Sequence, residues 1–433
     1  MLRTIDLRGR TLSPAELLAA VPRAELARDS ALTTAARIVH DVAAEGESAL
    51  RSQAEQFDGV SGHAIRVPDS HLEAALAGLD PEVRAALEEA IVRVRAASAA
   101  QVPAPVVTEL GPGARVTQRW QPVRRVGVYV PGGKAVYPSS VVMNVVPAQV
   151  AGVEVVALAS PPQRDQDGRV HPVILAAARL LGISEVYAMG GAGAIGAFAY
   201  GVDSLGLDPV DVVTGPGNNF VAAAKRAVAG IVGTDAEAGA TEILIVADDT
   251  ADPRLVAADL ISQAEHDEQA SAVLVTPSEQ LAAAVNAELE LRAPRTRHAA
   301  RVAAAFDGPQ SAVVLVDDLA QATAFSNAYA PEHLELHLAD PRADEFVNAG
   351  AVFVGDHAPV SLGDYLAGSN HVLPTGGQAR YAPGLSAATF LRPQQVVEYD
   401  RAALAEVRDA IVTLAQAEAL PAHGEAVEAR FEG

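Results

Sequence analysis

The sequence predicts an α/β protein with two doubly wound units, each built on a parallel sheet. From about residue 113 onward, short β-branched runs alternate with stretches of helical periodicity, which is typical of parallel sheets covered by helices on both faces. The predicted strands are too numerous for one ordinary sheet, which favours two units. Hydrophobic residues make up 50% of the chain and aromatic residues only 4%, as expected for α/β cores of small residues such as Ala and Val.

The first 100 residues are predicted to be helical. Ser13 followed by Pro14 is typical of a helix start, because Pro is tolerated in the first helical turn. Apolar residues recur at helical spacing over 31–57 and 72–97, with a break at Asp80 and the proline after it. Prolines near residue 104 indicate a joint before the α/β region.

The remaining elements follow from the alternating pattern. The predicted strands are 115–120, 125–130, 153–159, 185–189, 210–214, 242–246, 272–275, 312–316 and 351–354. The clearest helical stretches between them are 172–181, 219–230, 253–264 and 279–289. After about residue 377 the sequence predicts an irregular segment, then a strand at 394–399 and a helix at 401–417.

Charge and composition exclude several classes of function. The chain has 32 basic and 54 acidic residues, a net charge of −22, so binding to nucleic acid or to an anionic membrane surface is disfavoured. It has no cysteine, which excludes disulfides, thiolate metal sites and cysteine nucleophiles. Polar residues interrupt the most apolar stretch, 141–159, and the first ten residues lack a signal-peptide core, so we expect a soluble cytoplasmic protein.

Three glycine-containing loops follow predicted strands, at 130–133, 190–196 and 214–218. The second matches G-x-G-x-x-G and has Asp211 20 residues after its first motif glycine, as in a dinucleotide fingerprint. However, Asp211 begins the next strand, whereas a ribose-binding acid should end it, so a plain tight turn explains the match equally well. The third loop precedes a helix with Lys225, and free N–H groups at such a start suit an anion. Together the loops favour a nucleotide site.

Two polar pairs are candidates for chemistry. Gln263 and His266 are spaced i, i+3 on a predicted helix, so they share a face and could hold one metal, although a solvated helix end has the same pattern. Glu332 and His333 follow Pro331 and are predicted to lie in the first turn of a short helix. An acid beside an imidazole could divide base duties, while Glu is also favoured at a helix start for its charge.

Two further stretches contain histidines. Asp364 and His371 lie in a predicted glycine-containing loop, where turn chemistry explains the Gly, Asp and Asn residues but not the histidine. Glu418 and His423 lie near the C-terminus, where side chains are usually solvated. By itself neither stretch indicates a function.

Taken together, these motifs resemble those of the histidinol dehydrogenase family. The motifs are GPGN at 215–218, DLISQAEHD at 259–267, YAPEHLE at 329–335, GDYLAGSNHVLPT at 363–375 and EALPAH at 418–423. The resemblance covers nearly the whole chain and is weakest over the first 100 residues. It implies an enzyme that uses zinc and NAD to oxidise L-histidinol to L-histidine through bound L-histidinaldehyde, the final steps of histidine biosynthesis.

The resemblance also implies a role for each matched residue. One zinc ion per subunit would be held by Gln263, His266, Asp364 and His423. His333 would be the base in both hydride transfers, and Glu332 would activate the water that adds to the aldehyde. Substrate would contact Thr241, Gln263, His266, His333, Asp364, His371, Glu418 and His423. NAD would contact Tyr129, Gly193 and Asn218.

The implied architecture is two incomplete Rossmann-like domains, one inserted in the other. The expected parts are an N-terminal helical segment at 1–112 packed on the first domain, a first domain at 113–124 and 240–376 with the zinc and catalytic residues, an inserted NAD-side domain at 125–239, and a C-terminal tail at 377–433. The tail is expected to be exchanged between the subunits of a homodimer.

The chain departs from the family pattern at three places. Gly193 stands where the family has a Gln that contacts the cofactor, and this change creates the G-x-G-x-x-G match, which we therefore interpret as a coincidence. Thr241 stands in the family's Ala-Gly-Pro-Ser-Glu stretch, where it keeps a hydroxyl but the Pro is lost. Ala419 stands where Gly often follows the glutamate.

Two other functions are compatible with parts of the pattern. A related zinc and NAD dehydrogenase acting on another small polar alcohol, such as a sulfopropanediol, would keep the zinc and base motifs. The presence of His371 and Glu418 favours histidinol over that alternative. A non-catalytic nucleotide-binding regulator would have no reason to keep the zinc set together with Glu332 and His333.

Overall fold

A computed structural model describes residues 1–23, 28–132, 135–236 and 239–432. The strands are β1 (Arg3–Asp6), β2 (Val106–Gly111), β3 (Ala114–Pro122), β4 (Arg125–Tyr129), β5 (Val155–Ser160), β6 (Glu185–Ala188), β7 (Val212–Thr214), β8 (Gly233–Thr234), β9 (Glu242–Ala247), β10 (Ser271–Thr276), β11 (Ala312–Leu315), β12 (His333–His337), β13 (Ala351–Val354) and β14 (Leu391–Tyr399). The helices are α1 (Pro14–Ala20), α2 (Arg28–Glu45), α3 (Glu47–Gln53), α4 (Asp69–Ala77), α5 (Pro81–Ala100), α6 (Pro138–Ala151), α7 (Pro172–Leu180), α8 (Gly191–Tyr200), α9 (Asn219–Ala227), α10 (Pro253–Ala264), α11 (Glu279–Arg292), α12 (Ala299–Asp307), α13 (Leu319–Tyr329), α14 (Val360–Tyr365), α15 (Arg401–Ala417) and α16 (Pro421–Glu428).

The chain divides into two compact units. The first consists of Met1–Gln101 and Arg124–Phe390, and the second of Val102–Val123 and Leu391–Gly433. The first unit contains both parallel sheets and the second contains an antiparallel sheet. In the described part of the chain, no helix is long and apolar enough to cross a bilayer.

A six-stranded parallel sheet forms one half of the first unit, in the order β1-β11-β10-β9-β12-β13. Successive residues of a strand point to opposite faces, so each central strand supplies two cores. In β9, Ile243 and Ile245 join the core under α10, α11 and α12, while Leu244 and Val246 join the core under α1 and α13. Burial on both faces explains why these strands are nearly continuous runs of apolar residues.

A five-stranded parallel sheet forms the other half, in the order β6-β5-β4-β7-β8. Residues of α2, α8 and α9 cover one of its faces in a continuous apolar core. Helix α8 approaches α2 closely because Gly196 has no side chain: a Cβ there would lie 3.2 Å from the Cα of Val39. The glycines of α8 therefore permit helix packing.

The second unit is a three-stranded antiparallel sheet, ordered β14-β3-β2, with α15 and α16. An ion pair between Arg115 and Glu398 joins directly opposed residues of β3 and β14, with Nε and Oε2 2.8 Å apart. The sheet exposes several large apolar side chains. Val106, Val107, Leu110 and Val397 are each more than half exposed.

The predicted fold class is confirmed, since helices alternate with two parallel sheets. The expectation that residues 1–100 are helical is wrong at Arg3–Asp6, which pairs with β11 as an edge strand. This short strand gives little signal in the sequence, because it pairs along one edge only and its side chains are mostly exposed, with Ile5 partly buried. Strands β2 and β8 were also not predicted.

The units differ from the expected domain boundaries at two places. The strand expected within 113–124 of the first Rossmann-like domain pairs with β14 in the antiparallel sheet. The N-terminal helices were expected to pack on the first domain. Helix α1 does join the core of the six-stranded sheet, but α2 joins that of the five-stranded sheet.

Candidate active site

A cavity of about 970 Å³ lies in the first unit. It is bordered by the carboxyl ends of β4, β6 and β7 and by the amino ends of β9 and β12, because it is lined by Tyr129, Gly191 and Asn218 on one side and by Thr241 and His333 on the other. The carboxyl-end rule for ligand sites thus holds for the five-stranded sheet only. The six-stranded sheet presents its amino ends.

Glu332 is buried at the amino end of β12, and one of its oxygens accepts two hydrogen bonds. The hydroxyl of Thr241 donates to Oε2 over 2.6 Å, and the backbone N–H of Glu242 donates to the same oxygen over 2.9 Å. Burial raises the pKa of Glu332, while the neighbouring His333 and the Thr241 hydroxyl oppose that shift. The result is a fixed carboxyl group with an enhanced tendency to accept a proton.

His333 is the first residue of β12, and its hydrogen bonding defines its tautomer. Its Nδ1 lies 3.1 Å from the carbonyl oxygen of Glu242, which can only accept, so Nδ1 carries the proton. Nε2 is therefore left with a lone pair. Because His333 also lines the cavity, this nitrogen can accept a proton there.

The prediction that Glu332 and His333 lie in the first turn of a short helix is wrong. His333–His337 is a fully buried strand between β9 and β13. The alternation of Leu334 and Leu336 with polar residues was the available signal, and both leucines pack in the core. The prediction relied instead on Pro331 followed by Glu332, a pattern that occurs before strands as well as at helix starts.

Gln263 lies in the last turn of α10, and only one of the two polar atoms of its amide is hydrogen-bonded within the described chain. Its Nε2 donates to the Thr241 hydroxyl oxygen over 2.5 Å, whereas its buried Oε1 has no hydrogen-bond partner among the described residues. An unpaired buried oxygen is costly and calls for a ligand. His266 and Asp364, the other predicted ligands of this unit, line the cavity.

The helical face predicted for Gln263 and His266 requires a correction. Helix α10 ends at Ala264, so His266 lies in the turn beyond it. The backbone N–H of His266 still donates to the carbonyl of Gln263 over 3.3 Å, which keeps the two residues adjacent. Asp364 belongs to the short helix α14, whereas the prediction placed it in a loop.

His371 is held between two elements. Its Nδ1 donates to the carbonyl oxygen of Asp364 over 3.0 Å, and its Nε2 lies 3.1 Å from the hydroxyl of Ser140. Burial lowers the pKa of His371, although Asp364 opposes this shift, so the neutral ring accepts a hydrogen bond from the Ser140 hydroxyl at Nε2. Sequence reasoning did not find Ser140, because a serine near a helix start carries no distinctive motif.

The glycine loops place two predicted cofactor residues on the cavity. The Tyr129 hydroxyl accepts a hydrogen bond from the Gly191 N–H over 3.2 Å, and burial raises its pKa to about 12. Asn218 caps α9, accepting from the N–H groups of Phe220 and Val221. Both residues line the cavity.

Two charged residues near these loops have structural contacts. Lys225 is buried, pairs with Asp235 and donates to the carbonyl of Gly215 over 2.5 Å, so it stabilises the glycine-containing loop that precedes its helix. Asp211 accepts from the N–H groups of Arg124 and Arg125 at the start of β4. It lies at the strand end opposite a ribose-binding acid, and the dinucleotide fingerprint has no acidic partner there.

Gly193 does not line the cavity, unlike the other two predicted cofactor residues. It faces α3, and a Cβ at this position would lie 1.9 Å from the Oε1 of Gln53. Gln53 itself lines the cavity. No sequence signal marked Gln53, since one glutamine in an amphipathic helix is ordinary.

Glu418 and His423 belong to the second unit, whereas the residues that line the cavity belong to the first. Glu418 directly follows α15, and His423 lies in α16. Both side chains are exposed. Their predicted zinc and substrate roles stay predictions.

A second polar cluster is formed by residues of α10 and β12. Ligand atoms of Asp259, Glu335 and His337 all lie within 4.8 Å of one another, which is close enough to hold a metal ion. The group is also linked internally, with His337 Nε2 3.4 Å from Glu335 and its Nδ1 3.3 Å from Asp356. Burial and the nearby Glu335 raise the pKa of Asp259 to about 7.

Comparison with known proteins identifies the family. The histidinol dehydrogenase family model matches residues 21–431. Histidinol dehydrogenase from Leifsonia xyli subsp. xyli is 64% identical over 433 residues, covering 100% of this chain and 99% of that protein. The enzyme from Mycobacterium bovis is 59% identical over 437 residues, covering 100% and 98%.

Solved structures agree with the sequence comparisons. The crystal structure of histidinol dehydrogenase from Elizabethkingia anophelis has a TM-score of 0.92 at 32% identity and covers 99% of this chain and 98% of that one. An acetylating aldehyde dehydrogenase from Geobacillus thermoglucosidasius, at 12% identity, has a TM-score of 0.50 and covers 90% and 97%, a likeness of fold alone. With a buried acid and imidazole on one cavity and this agreement over the whole chain, the protein belongs to the histidinol dehydrogenase family, the oxidoreductases that catalyse the final steps of histidine biosynthesis.

Proposed function

We propose that this cavity oxidises L-histidinol to L-histidine through bound L-histidinaldehyde, with zinc and NAD as cofactors. The observation that carries the proposal is the pairing of a fixed, buried Glu332 with a His333 whose Nε2 is free to accept a proton. The reaction needs a proton acceptor for the two hydride transfers and another for the water molecule that adds to the aldehyde between them. Adjacent residues on one cavity wall meet that need.

The chain's own donors fit a zinc ion. Gln263 Oε1 is a buried oxygen without a partner, and His266 and Asp364 add a nitrogen and an oxygen donor on the same cavity. Such an N/O set without sulfur is compatible with zinc at a site open to substrate. When bound, the ion would orient the polar groups of the substrate, and NAD would accept the hydride of each oxidation.

His333 serves both oxidations in this proposal. Its Nδ1–H is held by the Glu242 carbonyl, so the ring keeps one orientation while Nε2 takes the proton of the alcohol. The same nitrogen takes the proton of the hydrated aldehyde in the second oxidation. Burial of the ring limits competing exchange with bulk water.

Glu332 activates water between the two oxidations. Its raised pKa makes the carboxylate a stronger base than an exposed glutamate, and the Thr241 hydroxyl and Glu242 N–H fix its position. Thr241 and His371 are proposed substrate contacts. Tyr129 and Asn218, on the opposite wall of the cavity, are proposed NAD contacts.

We further propose a homodimer in which the second unit of one copy completes the cavity of the other. Zinc sites use about four ligands, and the first unit supplies three of the predicted ones. The second unit carries the fourth, His423, together with Glu418, and its exposed apolar side chains are typical of an association surface. The cytoplasmic location expected from the sequence stays a prediction.

The direct test is cofactor stoichiometry. With limiting L-histidinol and excess NAD, we expect two NADH for each substrate molecule and L-histidine as the product. Prolonged chelation should remove the activity and added zinc should restore it, with metal content measured in each preparation. One NADH per substrate, or full activity in metal-free protein, would contradict the proposal.

A further inference from the structure

Gln53 belongs to the wall of the cavity that faces the glycine loop after β6. It is the last residue of α3, half-buried, and a π-helical turn, Ala54–Asp58, continues the wall beyond it. Gln53 lines the cavity together with Gly191 and Asn218. The mechanism described above does not use it.

The Gln53 amide occupies the space next to Gly193. A Cβ built at Gly193 would lie 1.9 Å from Oε1 and 3.0 Å from Cδ of Gln53, with a Leu50 methyl carbon at 3.3 Å. Real Cβ contacts are never that short, so a side chain at position 193 and the present conformation of Gln53 exclude each other. Gly193 does not have a positive φ, so its backbone conformation does not require glycine. The absence of a side chain there instead lets the Gln53 amide lie against α8.

The side-chain amide of Gln53 has hydrogen-bond donors and an acceptor that no described residue uses. Within the described chain, it makes no hydrogen bond to another residue, although neighbouring polar side chains on the cavity do. A primary amide offers two donors and an acceptor, which suit phosphate oxygens and ribose hydroxyls. It is also neutral, so it can face a pyrophosphate in a chain of strongly negative charge without adding repulsion.

We propose that Gln53 is a dinucleotide-contact residue, supplied by α3 across the glycine at position 193. The inference rests on the proposed function, since it assumes that NAD occupies the side of the cavity lined by Gly191 and Asn218. It assigns a contact with NAD to α3, a helix for which the sequence indicated no role in the site. It also gives Gly193 a purpose, which is to leave room for the Gln53 amide.

The first experiment measures NAD binding by calorimetry in Gln53→Leu. Leucine keeps most of the volume but removes the amide, so a purely space-filling role predicts no change. We expect an increase in Kd for NAD of about 2- to 13-fold, the range for one neutral hydrogen bond of about 0.5–1.5 kcal/mol. The KM for histidinol, the zinc content and the Tm should stay at wild-type values.

Glu55→Ala is the matched control. Glu55 is exposed in the same wall segment, two residues from Gln53, and does not line the cavity. It should leave the Kd for NAD unchanged. Unchanged NAD affinity in Gln53→Leu would overturn the inference, whereas a wild-type protein that binds no NAD would instead contradict the proposed function.

A second experiment exchanges the two positions. Gly193→Gln alone should displace Gln53, lowering the Tm and weakening NAD binding. In the Gln53→Gly background the same change has room, so the double variant should recover Tm and NAD affinity relative to Gly193→Gln. Additive losses in the double variant would contradict the steric part of the inference.

Discussion

The hydroxyl of Thr241 couples the proposed water-activating base to a proposed metal ligand. It donates its one hydrogen bond to Glu332 and accepts a hydrogen bond from the Gln263 amide N–H. Because the Gln263 Nε2 is committed to this contact, the Oε1 atom is left unpaired and free to bind a metal. One hydroxyl thus orients two functional groups, which explains why Thr241 can stand in place of a serine.

Thr241→Val should therefore damage the active site more than its small change in volume suggests. It removes one of the two hydrogen bonds to the Glu332 carboxylate and leaves the Gln263 Nε2 without its acceptor, at a cost of about 1–3 kcal/mol. Because about 1.4 kcal/mol of activation free energy corresponds to a tenfold change in rate, kcat/KM for histidinal oxidation should fall about 5- to 150-fold. Thr241→Ser keeps the hydroxyl and should stay within about threefold of wild type, so equal losses in both variants would argue against the hydrogen-bond role.

Substitutions of the two proposed catalytic residues should affect the two oxidations differently. His333→Asn removes the proton acceptor of both hydride transfers and should slow alcohol and aldehyde oxidation alike. Glu332→Gln keeps the shape but removes the base for water addition, so it should slow aldehyde oxidation far more than alcohol oxidation. Single-turnover kinetics with histidinol and with histidinal separate these cases. A similar loss on both substrates for Glu332→Gln would be inconsistent with its assigned role.

The pH dependence should carry the signature of Glu332. Burial raises its pKa above the ordinary value of 4.5, and the active form is the carboxylate. Aldehyde oxidation should therefore decline as the pH falls through this raised pKa, at a higher pH than for an exposed glutamate. Alcohol oxidation should lack that limb. The measurement is kcat/KM against pH for each substrate, and the limb should disappear in Glu332→Gln.

At the scale of elements, a buried ion pair stabilises the loop between β7 and α9. Lys225 on α9 pairs with Asp235, and both contact Gly215: Lys225 donates to its carbonyl and Asp235 accepts from its N–H over 2.8 Å. Gly215 has φ +120°, and a Cβ there would collide with the Tyr129 carbonyl oxygen. The pair therefore holds a turn that requires glycine, next to residues that line the cavity.

Removing one member of this pair should be costly. Lys225→Met leaves Asp235 buried without a counter-charge and should lower the free energy of unfolding by about 3–5 kcal/mol. Adding Asp235→Asn, which still offers an acceptor to Gly215, should recover much of the loss. Denaturant unfolding measures both. Arg84→Met, which breaks an exposed helical ion pair with Glu88, is the control and should cost less than about 1 kcal/mol.

Local sequence patterns predicted many elements well. The start of α1 is a complete capping box, with Ser13 and Glu16 exchanging hydrogen bonds as the Ser-Pro pattern indicated. Apart from β12, the interior strands of both parallel sheets were predicted to within two residues at each end, because burial on both faces makes them apolar runs. Strand β12 was misassigned, since Pro331 and Glu332 imitate a helix start when neighbouring strands are unknown.

For the whole molecule, the proposed function assigns two residues of the second unit to the active site. The proposed zinc ligand His423 and substrate residue Glu418 lie in that unit, while the other proposed ligands lie in the first. If the second unit is exchanged between copies, each active site combines residues from two chains. A symmetric two-fold dimer then contains two equivalent shared sites.

Complementation between inactive variants tests this sharing. His333→Asn and His423→Asn are denatured together and refolded as a mixture. In a mixed dimer with exchanged units, one site receives both lesions and the other receives none. Random pairing makes about half of the dimers mixed, so activity should recover to about a quarter of wild type. Without exchange, every site keeps a lesion and the mixture stays inactive, with mass measurement of mixed dimers as the control.

The linear order of residues determines a great deal here. Alternating strand and helix periodicity indicates the α/β class, and five ordered motifs indicate the family and name the candidate site residues. Only the tertiary structure decides which strands pair and which tautomer His333 adopts. It also decides that Lys225 forms an ion pair with Asp235 and that the missing side chain of Gly193 leaves space for Gln53. The physical reason is range: periodicity and capping act over a few residues, whereas pairing, burial and proton position depend on partners far away in the chain.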